Sequence, residues 1–198
     1  FRRDLAERWA DMGCVAIEVE NLYADLTGTA PRPPRVSSSL LRGWSDDRLS
    51  TLGISWDDPR VWLLRALHLA GRDSTEANEV AESLSASKLG RAARDLACYD
   101  HALSVLEDAV AAGVRDSERC LADLCIQKAL VHEYCGDFQG ASALVRRAAD
   151  RYDSRLRRDW QPSLAVSLAC AANFTGLLAQ KTGDTPAAIA AYDSAIAG

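Results

Sequence analysis

Apolar residues recur along this chain at the three-to-four-residue spacing of a helix face, and no stretch sustains the strict alternation of a half-buried strand. Residues 3–26 set Leu5, Trp9, Met12, Val15, Ile17, Val19 and Leu22 in one broad apolar stripe that stops at Thr27-Gly28. Ala30-Pro31-Arg32-Pro33-Pro34 follows, the one proline-dense stretch, and it cannot continue a helix. Ser37–Ser39 then caps a short helical segment reaching about Leu52. Trp56-Asp57-Asp58-Pro59 is a strong start signal, with acids placed before a proline that opens a first turn. Beyond it the period predicts helices near 59–70, 74–84, 85–97, 99–112, 117–135, 138–157, 161–182 and 185–197. Links between them are short, which makes neighbours antiparallel. The expected organisation is an N-terminal helical segment, 1–52, with a proline-rich linker near 29–36, and a helical-repeat domain, 53–198.

An internal repeat sharpens this picture. Gly136-Asp137 is followed by Ala141 and Ala148, and Gly183-Asp184, 47 residues later, by Ala188 and Ala195 at the same offsets. A third copy upstream has Leu89-Gly90, then Tyr99-Asp100, Ala102, Leu106 and Ala109, again with alanines seven apart. Small residues stand 12 positions before the first alanine of each copy, at Gly90, Ala129 and Gly176. Helices approach to the ~8 Å end of the usual range only where crossing side chains are small, which gives these positions a packing role. Glycine at the turn accepts a left-handed backbone, and the aspartate after it can cap the next helix.

The pattern resembles the tetratricopeptide repeat, a two-helix unit with a small residue in its first helix, a tight Gly-Asp turn and two small residues seven apart in its second. Gly176, Gly183-Asp184, Ala188, Tyr192 and Ala195 match closely; Ala129, Gly136-Asp137, Ala141, Val145 and Ala148 match with valine in the aromatic slot. The first copy has Ala97-Cys98 where the turn is expected. The clearest repeats span about 83–116, 122–155 and 169–198, and residues 59–84 read as a further, degenerate pair. The resemblance implies an all-α solenoid of antiparallel helix pairs that needs several stacked units to bury its apolar faces.

Composition narrows the function classes. Hydrophobic residues make up 48% and charged residues 26%, ordinary globular values. A net charge of -5 and a pI of about 5.2 give no general attraction to nucleic-acid phosphates, so no nucleic-acid partner is expected through this segment. Arginine supplies all but three of the 23 basic residues; this bias, with abundant alanine, suits a GC-rich genome such as an actinobacterium's. The arginine-rich faces near 91–94 and 146–158 carry interleaved acids, which makes them salt-bridged solvated surface. Six cysteines lie within helix-patterned apolar stretches, where thiols act as small hydrophobes, so a reducing cytoplasm is expected. No apolar run approaches the ~20 residues that span a bilayer, and no membrane partner is expected. Absence of an initial Met and an end at Ala197-Gly198 suggest a piece of a longer protein.

Candidate chemistry is sparse. Cys98/His101 and His132/Cys135 each have permissible zinc spacing, but nothing in the pattern brings the pairs together, and packing is the better account. The acidic pairs Asp46-Asp47 and Asp57-Asp58 sit at helix starts, where they offset the macrodipole. No hydrolase elbow, zincin motif, phosphate loop or dinucleotide loop occurs. The sequence therefore points away from an enzyme, a metal and a cofactor, and toward a protein-interaction module. A ligand- or peptide-sensing domain of a larger regulator and a non-catalytic domain of an enzyme remain as alternatives, and a homo-oligomer is left open. The resemblance implies a groove lined by the first helix of each pair. It assigns Ser87, Arg91, Arg94 and Asp95 from the first copy; Asp123, Ile126, Leu130, Glu133 and Tyr134 from the second; and Asn173, Leu177, Gln180 and Lys181 from the third. Such a lining suits a protein or peptide partner carrying acidic and apolar side chains.

Overall fold

In a computed structural model, residues 58–87 and 89–197 can be described; the helical segment 1–52, its linker and Trp56-Asp57 lie outside them. The described residues form seven α-helices and no strand: α1 Pro59–Leu69, α2 Thr75–Ser85, α3 Arg91–Ala111, α4 Ser117–Tyr134, α5 Phe138–Arg158, α6 Pro162–Lys181 and α7 Thr185–Ala197. The described residues adopt the expected all-α class.

Four of the helix ends are built alike. Gly71, Gly113, Gly136 and Gly183 each have φ between 68° and 81°, the left-handed region where a Cβ would be strained. The amide after each glycine donates to the carbonyl five residues back: Arg72 to Leu67, Val114 to Ala109, Asp137 to His132 and Asp184 to Ala179, all at 2.8–2.9 Å. This is the Schellman closure, and it satisfies the carbonyls a helix end leaves open. Asp137 and Asp184 then cap the following helices, accepting from Gly140 N at 2.9 Å and Ala187 N at 3.1 Å. The cap at α1 works in the same way, with Asp58 Oδ1 accepting from Arg60 N at 3.0 Å and Pro59 opening the first turn.

One expected turn is absent. The sequence reading placed a break at Ala97-Cys98, between helices at 85–97 and 99–112; the structure runs one helix, α3, straight through it. The physical reason lies in the residues. Neither Ala97 nor Cys98 accepts a left-handed backbone, and Cys98, Ala102, Val105, Leu106 and Ala109 form one continuous buried stripe. The real turn after α3 is at Gly113, and α3 packs chiefly on α1 while also contacting α2.

Successive helices from α3 to α7 pack on one another, and α1 packs on α3 and α4. Helix α1 buries Val61, Trp62, Leu63, Leu64, Ala66 and Leu67, a run too broad for a surface helix. Helix α2 buries only Ala77 and Ala81 and is peripheral. Helix α5 shows the cleanest amphipathic spacing, with Ala141, Val145, Ala148 and Tyr152 inward and its arginines outward. Of the small residues of the repeat, Ala129, Ala141 and Ala148 are fully buried and Ala188 nearly so, whereas Gly90 is exposed, with nothing within 4 Å of an added Cβ, and does not serve the packing role expected of it. At Gly176 the neighbour is Tyr192, whose ring carbon would stand 2.5 Å from an added Cβ.

Charged side chains tie alternate helices. Arg147 on α5 pairs with Glu107 on α3, and Lys181 on α6 with Glu133 on α4. At the other ends of α4 and α6, Arg119 donates to Ser163 Oγ at 3.4 Å. The two helices therefore run parallel, start beside start and end beside end.

Candidate partner-binding face

Helices α4 and α6 share an exposed face because their outward positions repeat every three to four residues. On α4 these are Asp123, Ile126, Gln127, Leu130 and Tyr134; on α6 they are Val166, Cys170, Asn173 and Leu177. The face is unusually apolar for solvated surface, with Tyr134 66% exposed, Val166 62%, Leu130 43% and Leu177 37%.

A cleft of about 250 Å³ opens in it, lined by Trp62 from α1, Asp123, Ile126 and Gln127 from α4, Tyr152 from α5, and Val166, Ser167, Cys170 and Ala171 from α6. Tyr152 Oη donates to Asp123 Oδ1 at 2.7 Å. Burial pushes the Asp123 carboxyl above the usual carboxylate range; the Tyr152 bond, Arg65 and Arg119 act against that shift without cancelling it. Burial, with Asp123 beside it, pushes the Tyr152 hydroxyl upward as well. Arg65 lies over the Trp62 ring, 5.4 Å from its centroid.

Of the residues assigned from sequence, Asp123 and Ile126 line the cleft, and Leu130, Tyr134, Asn173 and Leu177 continue the same face. Glu133 and Lys181 are committed to each other across α4 and α6. Gln180 accepts from Tyr192 Oη at 3.2 Å and so belongs to the α6–α7 contact. Arg91, Arg94 and Asp95 are not brought into the cleft. They occupy the first turns of α3, where Arg91 pairs with Asp95 at 4.0 Å, because the helix expected to carry them inward does not exist.

Trp62, Gln127, Tyr152, Val166, Ser167, Cys170 and Ala171 were not anticipated. Val166 and Cys170 lie seven and three residues before Asn173, so the same stripe followed toward the helix start reaches them. No local signal identifies Trp62, which arrives by packing between elements distant in sequence.

The zinc-spaced pairs are otherwise engaged. His101 Nε2 lies 2.9 Å from Glu76 and His132 Nδ1 2.7 Å from Asp137, and among the described residues no group of three metal-ligating side chains converges. Burial pushes the thiols of Cys98 and Cys120 up to about 12, while Cys135 and Cys170 are exposed. An aromatic disulfide reagent at about pH 8 should therefore label Cys135 and Cys170 quickly, with Cys98, Cys120 and Cys125 reacting only on unfolding. Mass spectrometry of partly labelled chains reads this directly, and fast labelling of Cys120 would contradict the packing of α4.

Helix α6 is long and apolar enough to cross a bilayer by length and composition, with mean hydropathy 1.4 in its best window. Its Leu164, Ala171, Phe174, Gly176 and Leu178 are buried against the neighbouring helices, and 28% of that window is buried in all. No family model matches the chain, and no curated protein or solved structure matches it either.

Proposed function

We propose that this chain is a protein-interaction module, a stack of helix pairs of the tetratricopeptide kind that receives an extended peptide segment of a partner on the α4–α6 face. The observation that carries the reading is that α4 and α6, which supply most of the cleft lining, also carry four exposed apolar side chains, Leu130, Tyr134, Val166 and Leu177, of which Val166 lines the cleft itself. Exposed apolar side chains grouped around a concavity mark a surface that gains by being covered. Parallel placement of α4 and α6, each followed by a Gly-Asp turn and an alanine-spaced helix, fits the repeat reading. Catalysis finds less support, since Tyr152 and Asp123, two of the titratable groups lining the cleft, are engaged with each other.

Selection of a displayed peptide library on the chain, followed by NMR mapping of the selected peptides, tests the reading. The largest shifts are expected at Leu130, Tyr134, Val166 and Leu177. Tyr134→Ala should weaken binding by about tenfold, the lower range of an aromatic hot spot, with helicity unchanged. Shifts confined to α2 or α7, or an unaltered affinity in that variant, would remove the assignment.

A further inference from the structure

The cleft's polar atoms are unusual in what they have left to offer. The Tyr152 proton is spent on Asp123 Oδ1. The Ser167 hydroxyl donates to Ser163 O at 3.0 Å. Beyond these bonds Tyr152 Oη and Ser167 Oγ keep lone pairs, and Asp123 Oδ2 is a further acceptor with no hydrogen bond among the described residues; all three residues line the cleft. Gln127 adds an amide oxygen to the same lining. Against these acceptors stand the Gln127 amide hydrogens, the Trp62 indole N–H and the weak Cys170 S–H as donors. The remaining wall is apolar: Trp62, Ile126, Val166 and Ala171.

A site rich in acceptors, carrying one carboxylate and walled by apolar side chains, complements a group rich in donors on an apolar stem. We infer that the cleft is an anchor site for a basic side chain, a lysine or arginine of the bound peptide, with its head on Asp123 Oδ2 and its methylenes against Trp62, Ile126 and Val166. The inference rests on the reading of α4–α6 as a peptide-binding face, and it reverses the acidic preference that the sequence alone suggests. That preference depended on Arg91 and Arg94, which the fold places elsewhere on α3. Two arginines do stand near Asp123. Arg65 is stacked on Trp62 and Arg119 reaches Ser163, and neither lines the cleft. Even with both present, burial still holds the Asp123 carboxyl above its ordinary range, so a cation entering the cleft meets an incompletely compensated charge. Lysine and arginine suit the shape too, since both bury an aliphatic stem while their heads seek acceptors.

The test uses fluorescence anisotropy with peptides selected on the unaltered chain, each paired with a version whose basic residue is replaced by norleucine. Norleucine keeps the stem and removes the charge. The selected peptides are expected to carry a basic residue at a fixed position, and its replacement should weaken binding at least tenfold. In Asp123→Asn the same replacement should cost less than twofold. That variant is expected to fold. The folded state raises the Asp123 pKa, so the stability from this group is present below the ordinary carboxylate range and is lost as pH rises through the raised value. Removing the charge at neutral pH should leave the melting temperature unchanged or higher. Val166→Lys gives a second route through an exposed position: it removes the same apolar contact from both peptides, so a tethered ammonium at the cleft should weaken the basic peptide at least threefold more than its norleucine partner. Peptides that bind on α4–α6 with equal affinity in basic and norleucine forms would overturn the anchor while leaving the interaction reading intact. Failure to select any peptide would overturn both.

Discussion

Ala97→Pro should cost the fold about 3 kcal/mol or more in urea denaturation, with loss of helicity around α3. Proline in a helix interior removes an amide donor and presses its ring on the carbonyl four residues earlier. Ala97 is only half-buried, so the penalty reflects the backbone and not lost packing. The substitution separates two architectures that share nearly every other feature. With a turn at 97–98, proline would sit at a loop position and cost little; with α3 continuous, it falls in the second turn of a 21-residue helix. Ala97→Gly is the calibrating variant and should cost ~1 kcal/mol. A proline variant as stable as the parent would return the break to Ala97-Cys98 and free Arg91 and Arg94 for the groove.

Leu124→Ala should destabilise by ~2–5 kcal/mol, the range for deleting a fully buried leucine from a site that cannot collapse. Leu124 is completely enclosed on α4, a helix that packs on α1, α3 and α5. Leu130, less than two turns away on the same helix, is 43% exposed, and its change to alanine should shift stability by less than ~0.5 kcal/mol. Paired measurements of melting and of peptide affinity should therefore split the helix. One face governs stability, and the other governs binding. Equal destabilisation by both changes would mean that Leu130 is covered, and the proposed docking face would lose its central residue.

Most of the helices were readable from local chemistry because their ends are written in local chemistry. Gly136-Asp137 and Gly183-Asp184 combine a residue that tolerates positive φ with a side chain that caps, and both turns form as expected. Asp58-Pro59 opened α1 for a comparable reason. The error at Ala97-Cys98 came from letting repeat spacing outrank turn chemistry: seven-spaced alanines were present, but no residue there could end a helix. Gly113, which does end α3, lay within the span of the first copy but at none of the positions aligned there. The cleft was less legible, since it depends on where α1 docks. Trp62 reaches Asp123 across 61 positions of sequence, and an apolar run such as Val61–Leu64 announces burial without saying against what. Tyr152 lay one turn beyond Ala148 on a stripe already recognised, yet its hydrogen bond to Asp123 needed both helices in place.

The end-to-end ties between α4 and α6 bear on how the cleft would respond to its surroundings. Glu133–Lys181 and Arg119–Ser163 are the side-chain bonds spanning these two helices among the described residues, and both are solvent-exposed. Contacts of that kind are weak and fade as mobile ions accumulate around them. The gap between the two rods is thus fastened by fittings that brine loosens, while the apolar floor beneath strengthens or holds. Occupancy of the cleft should consequently fall at high ionic strength even for an uncharged guest, because it is the frame that slackens.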